Sequence, residues 1–152
     1  PITMELYSNI APKMVARFKE LANEGFYNGV TFHRVNQSVI QAGDPNSKDK
    51  DPENDGIGSS DKPNVVAEYS DIEYDLGTVG AARKPNDVNS QNSQFFITLK
   101  RTEGFDKSYT VFGKVTEGMS SARTIAGVPR DRRERPLDDV KIKSITIKKK
   151  GS

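Results

Sequence analysis

The sequence predicts a mainly β protein, an antiparallel barrel or sandwich of eight short strands accompanied by two helices. Three observations point there: several short alternating or apolar runs, turn-rich links between them, and only two segments with helical spacing. The 152 residues fit one domain, taken as 1–152, and the 34% of hydrophobic residues suffice for one ordinary core.

The elements follow in chain order. Residues 2–7 alternate apolar and polar side chains and read as the first strand. Residues 11–25 read as a helix, with Pro12 in the first turn, where a missing N–H is harmless. Val15, Phe18, Leu21 and Ala22 then form one apolar stripe, assigned to the core, and Gly25 is a stop signal. Strands are expected over 30–35, 39–42, 65–69, 78–82, 95–99 and 111–115. A shorter helix over 118–126 ends at Gly127 and Pro129. A last strand over 140–148 places Ile142, Ile145 and Ile147 on its apolar positions. No internal repeat is present, and residues 45–63 read as a long polar loop.

Composition removes several kinds of chemistry. With no cysteine there are no disulfides, thiol nucleophiles or thiolate metal sites. His33 is the only histidine, so most nucleophile–base pairs and His-based metal sites are unavailable. Ser–Lys and paired-carboxylate mechanisms stay open, although no spacing singles out such a pair. No glycine-rich phosphate cradle occurs. Asp51, Glu53, Asp55 and Gly56 echo the start of a calcium loop, but its twelfth position is Lys62 instead of a bidentate Glu. No cofactor and no metal site are therefore expected. Charged residues are 29% of the chain for a net charge of only +2, which argues against a nucleic-acid binder. The basic clusters at Arg130, Arg132, Arg133, Arg135 and at Lys148, Lys149, Lys150 read as solvated. No run of apolar residues is long enough for a membrane span. A soluble monomer is expected, cytoplasmic or exported after removal of an N-terminal segment. The chain begins at Pro1 without a methionine.

Two segments carry a resemblance. Phe32-His33-Arg34-Val35, followed by Val39-Ile40-Gln41-Ala42-Gly43-Asp44-Pro45, resembles the cyclophilin signature, FHRV and then QGGDP. Asn92-Ser93-Gln94-Phe95-Phe96-Ile97 is similar to that family's SQFFI strand. Leu6-Tyr7 with Ala11-Pro12-Lys13, Gly25-Phe26-Tyr27-Asn28-Gly29 and Val111-Phe112-Gly113-Lys114-Val115 match further family segments in the expected order. The chain is thus identified as a member of the cyclophilin-type peptidyl-prolyl cis-trans isomerases. The resemblance implies an eight-stranded antiparallel barrel closed by two helices, with the active site on its outer face. Relatives carry a strand before the segment matching 2–7, which is missing or trimmed here.

What the resemblance implies for the site is specific. Arg34 is the catalytic residue, its guanidinium donating to the prolyl nitrogen of a twisted amide. Phe96 forms the floor of a proline pocket, with Val39 on one wall and Phe95 turned to the core. Gln41 and the backbone at Ala82 and Arg83 bind the substrate main chain, Phe105 and Tyr109 complete the pocket, and His33 is structural. The expected partners are proline-containing peptides and unfolded proteins.

Departures from the family pattern are equally specific. The Arg34-to-Gln41 link is about one residue shorter than usual, and Ser38 falls near the place of an aromatic wall. Gly104 stands where many relatives carry Trp or Phe, and residues 83–88 are longer than in the shortest forms. Strong cyclosporin binding, which leans on that aromatic, is therefore not expected. Two readings remain open at this point: an active isomerase, or a module that binds proline segments with weak or no turnover.

Overall fold

The structure, a computed structural model, describes residues 1–48 and 58–148. It contains six strands: β1 (Thr3–Leu6), β2 (Phe32–Val35), β3 (Val39–Ala42), β4 (Thr78–Ala81), β5 (Phe95–Thr98) and β6 (Val111–Glu117). Two helices accompany them, α1 (Pro12–Asn23) and α2 (Met119–Ala126). The strands form one sheet in the order β1-β6-β4-β5-β3-β2, with every pair antiparallel.

Helix α1 buries the expected stripe of Val15, Phe18, Leu21 and Ala22, with Met14 beside it. Its N-terminus is satisfied in a way that local sequence does not announce. Ala11 offers no side-chain cap; instead the carboxylate of Glu68 accepts from the N–H groups of Lys13 (3.2 Å) and Met14 (2.9 Å). Two orphan donors are paired, and a negative charge meets the positive end of the helix. Phe18 then packs against Tyr27, Phe95 and Phe112 at centroid distances of 5.2–5.4 Å, the aromatic centre of the core.

The expected eight-stranded barrel is corrected to this six-stranded sheet, which is not closed among the described residues. Two expected strands fail for identifiable reasons. Along 65–69 only Val65 bridges another segment, at Gln91. The next N–H groups go to side chains: Ala67 to Asn89 Oδ1 and Glu68 to Thr110 Oγ1. The 140–148 segment runs beside β2, with Phe32 N donating to Val140 O and Ile142 N to Val30 O. Past Ile142 the alternation skips a beat, with Lys143 and Ser144 both exposed, and resumes at Ile145 and Ile147, which pack on the core. No ladder accompanies that alternation, so it is extended chain laid over the core. The calcium-loop echo at Asp51, Glu53, Asp55 and Gly56 lies outside the described residues. Among those described, no cluster of three or more His, Cys, Asp or Glu could hold a metal. Among the described residues, no helix is long and apolar enough to cross a membrane.

Candidate active site

Strand pairing places the candidate residues in one row. Arg34 on β2 is opposite Gln41 on β3, Gln41 is opposite Phe96 on β5, and Phe96 is opposite Gly80 on β4. Directly opposed residues of antiparallel strands share a face, so this row lies together on the outer side of the sheet. The neighbouring row, Ile40, Ile97 and Val79, points into the core. Phe95 likewise turns inward, edge-on to Phe18 and Tyr27. His33 falls at a bulge between the paired positions Phe32 and Arg34, and is buried.

A second, smaller apolar cluster occupies the outer face: Val39, Tyr74, Phe96 and Val111, with Phe105, Tyr109 and Ala82 packed against it. Phe96 is its hub, stacked on Tyr74 at 5.5 Å and meeting Phe105 (5.3 Å) and Tyr109 (5.5 Å) edge-on. Such edge-on and offset pairs are favourable beyond the area they bury. Phe105 and Tyr109 are only half-buried and so form the rim of an apolar recess. The Phe96 ring lies this close to the sheet because position 80 has no side chain. A Cβ there would come within 2.5 Å of both Phe96 Cζ and the Tyr74 hydroxyl.

The rim loop is clamped from below. Arg101 donates to both carboxylate oxygens of Asp106 (2.9 and 2.5 Å) and to Tyr74 O (3.1 Å), while Tyr74 N donates to Asp106 Oδ1 (2.9 Å). The hydrogen bonds from Arg101, then the backbone bond from Tyr74, hold the Asp106 carboxyl at about 2, below its usual range. Tyr74 closes the arrangement by donating to Tyr109 O at 3.0 Å. Burial pushes its phenol well above the usual range, so it stays a donor at any relevant pH.

The polar members are positioned separately. Gln41 Nε2 donates to Gln94 Oε1 at 2.9 Å, and Gln94 Nε2 donates to Gly58 O. This chain fixes the Gln41 amide and leaves its oxygen available. The N–H of Ala82 is already committed to Gln94 O (3.0 Å), so what Ala82 can offer a peptide is its carbonyl. Arg83 ties loops together: its Nη2 donates to Ser108 O (2.9 Å) and its guanidinium lies 4.6 Å from the Tyr109 ring centre. Beside the amide pair is a polar cavity of about 560 Å³ that includes Gln41, Gln94, Arg83 and Lys84. Arg34 itself is half exposed and donates through Nε to Glu134 Oε1 at 3.0 Å.

The short link between β2 and β3 also has a structural reason. Asn36 Oδ1 accepts from the N–H groups of Ser38 (2.7 Å) and Val39 (2.9 Å), an Asx turn that closes the hairpin without a proline. Ser38 contributes no ring to the recess, and nothing lies within 4 Å of a Cβ built on Gly104. Sequence reasoning gave no role to Gln94, Tyr74, Gly80 or Glu134. Only Gln94 carried a signal, as a polar residue inside a matched motif.

A cation, a fixed amide and an aromatic-floored recess thus stand in one row across three adjacent strands. The chain belongs to the cyclophilin-type peptidyl-prolyl cis-trans isomerases: the family model described as "Cyclophilin type peptidyl-prolyl cis-trans isomerase/CLD" matches residues 1–147. It is 38% identical to a "Peptidyl-prolyl cis-trans isomerase-like 2" of Gibberella zeae, over 96% of this chain and 25% of that one. It is 43% identical to a "Probable peptidyl-prolyl cis-trans isomerase" of Brucella suis, over 82% of this chain and 65% of the relative. A "Peptidyl-prolyl cis-trans isomerase-like 1" of Emericella nidulans is 36% identical, over 99% and 90%. The chain thus spans a quarter of the first relative and just under two thirds of the second. Among solved structures, a Cryptosporidium parvum cyclophilin-type isomerase, crystallised in the presence of the dipeptide Ala-Pro, superimposes with a TM-score of 0.87. That pair is 28% identical over 97% of this chain and 92% of the other.

Proposed function

We propose that this protein catalyses cis–trans isomerisation of X-Pro bonds in exposed or unfolded chain segments, with Arg34 as the catalytic residue. The observation that carries the reading is the row Arg34–Gln41–Phe96 across three adjacent strands. Rotation about a peptide bond is opposed by about 18–20 kcal/mol, because the C–N bond has partial double-bond character. No bond has to break; the enzyme needs only to hold the twisted amide better than either planar isomer. Twisting localises a lone pair on the prolyl nitrogen, and an arginine N–H aimed at it favours that state. Arg keeps its charge at any relevant pH and presents its donors in a rigid fork.

The remaining residues orient the substrate. Phe96, walled by Val39, Phe105 and Tyr109, takes the proline ring, while the Gln41 oxygen and Ala82 carbonyl accept from the peptide main chain. Main-chain recognition reads little of the flanking side chains, which suits proline-containing peptides and unfolded proteins as a substrate class. The dipeptide named with the Cryptosporidium parvum structure supports the same class.

A specific feature favours a second reading, in which proline segments are held but turned over poorly. Ser38 and Gly104 stand where the family resemblance puts aromatic side chains, and weaker enclosure of the ring would lower discrimination for the twisted state. Exchange NMR on an X-Pro peptide separates the two. Acceleration by the wild type that falls by roughly 10²-fold or more in Arg34→Ala, as for loss of one electrostatic donor, supports catalysis. Binding without acceleration by the wild type would overturn it in favour of the binding module.

A further inference from the structure

Glu134 is the partner of Arg34 from the far end of the chain, and the loop that presents it is built with unusual care. Glu134 is one of only two non-glycine residues with positive φ among the described residues, at +67°. That conformation is disfavoured for an L-residue with a long side chain and persists only where its surroundings impose it. The surroundings are visible. Asp131 Oδ1 accepts from Arg133 N (2.8 Å) and Arg135 N (3.1 Å), and Asp131 O accepts from Glu134 N (3.0 Å). Arg135 O returns to Asp131 N at 2.9 Å, and the Arg135 guanidinium is tied to Asp139 at 3.2 Å.

The consequence is a two-point grip on one residue of β2 and its neighbour. Glu134 O accepts from Val35 N at 2.7 Å, which registers the loop against the strand. The Glu134 carboxylate then takes Arg34 Nε at 3.0 Å. A guanidinium held at Nε is restrained in its swing and keeps its Nη donors for another acceptor. Those Nη groups have no hydrogen-bond partner among the described residues. An ion pair this exposed contributes little to stability; its effect is on where the guanidinium points.

We infer that Glu134 is a positioning residue for the isomerase, orienting the Arg34 fork toward the peptide by holding its Nε. The inference rests on the catalytic role proposed above for Arg34. With φ in the left-handed region, Glu134 places its carboxylate at Arg34 and its carbonyl at Val35 of the same strand. Preorganising the donor acts on the twisted state more than on ground-state binding.

Two variants and two readouts test this. Glu134→Gly accepts φ +67° without strain, so it removes the carboxylate and keeps the loop; Glu134→Gln keeps an acceptor without the charge. The 15Nε–H signal of Arg34 is expected to be slowed in solvent exchange in the wild type and fast in Glu134→Gly. In exchange-NMR kinetics, Glu134→Gly should lose roughly tenfold in kcat with KM little changed, and Glu134→Gln should recover most of it. A wild-type Arg34 Nε–H as fast as that of a free arginine would overturn the inference, whatever the activity. So would a Glu134→Gly enzyme with unchanged or raised kcat, the latter meaning that Glu134 competes with substrate. An inactive wild type with a protected Nε–H would strike at the isomerase assignment while leaving the pair itself established.

Discussion

At Gly80 the backbone of β4 passes directly beneath two rings, and the whole apolar floor depends on there being nothing in between. Any Cβ meets Phe96 Cζ and the Tyr74 hydroxyl at 2.5 Å, closer than real side chains come. Tyr74 cannot retreat easily, since it is fully buried and anchored to Tyr109 O. Gly80→Ala should therefore destabilise by about 1–3 kcal/mol, the range for overpacking a well-filled site, and push Phe96 into the recess. Thermal unfolding and the Phe96 ring shifts check this together. An unaltered Tm with unaltered ring shifts would mean that Phe96 is not seated where the sheet puts it. The same residue shows what a sequence hides. Arg34, Gln41, Val39 and Phe96 are visible as chemistry because each sits inside a short matched strand. Gly80 has no side chain to read, and the partners Gln94 and Glu134 lie 53 and 100 positions from the residues they orient.

Among the elements, the segment from Arg101 to Tyr109 is short, carries one 3-10 turn (Glu103–Phe105), and still supplies two of the recess walls. It is held by charge-assisted bonds rather than by a ladder: Arg101 on Asp106, and Asp106 on the N–H of Tyr74. Because the folded carboxyl sits at about 2 and the usual value is 3.8, the clamp's contribution is fully present above the usual value. It is lost as pH falls through about 2. The Asp106 carboxyl carbon should thus titrate near pH 2 by NMR, with the Phe105 and Tyr109 rings unchanged between pH 8 and 5. A midpoint near 3.8 would show that Arg101 does not hold it in solution. Element reading was reliable where side-chain periodicity and backbone pairing coincide, as in α1 and β3. It failed at 65–69, an apolar run of which only Val65 is buried, and at 140–148, where spacing reported only which side chains face the core. The N–H groups there go to Asn89, to Thr110 or to Val30 just before β2, and no local pattern encodes that.

For the molecule as a whole, the sheet order β1-β6-β4-β5-β3-β2 puts the site on strands flanked on both sides and gives β1 one neighbouring strand among the described residues. Arg34 is the exception, on outer strand β2, and there the loop at 130–136 and the segment to Ile142 cover the edge through Val35, Phe32 and Gly29. The two edges of the sheet are thus treated differently: one is laced beside the catalytic candidate, the other carries a single ladder. Local opening starts where fewest hydrogen bonds must break, so amide exchange should rank the strands by this topology. Amides of β3 and β5 should be the slowest, and those of the outer strand β1 should exchange faster. Residues 30–35 should be intermediate. Hydrogen exchange followed by NMR at each amide decides it. Protection of β1 equal to that of β5 would mean that another segment or a second chain pairs along the outer side of β1, and the sheet would then extend beyond six strands in solution.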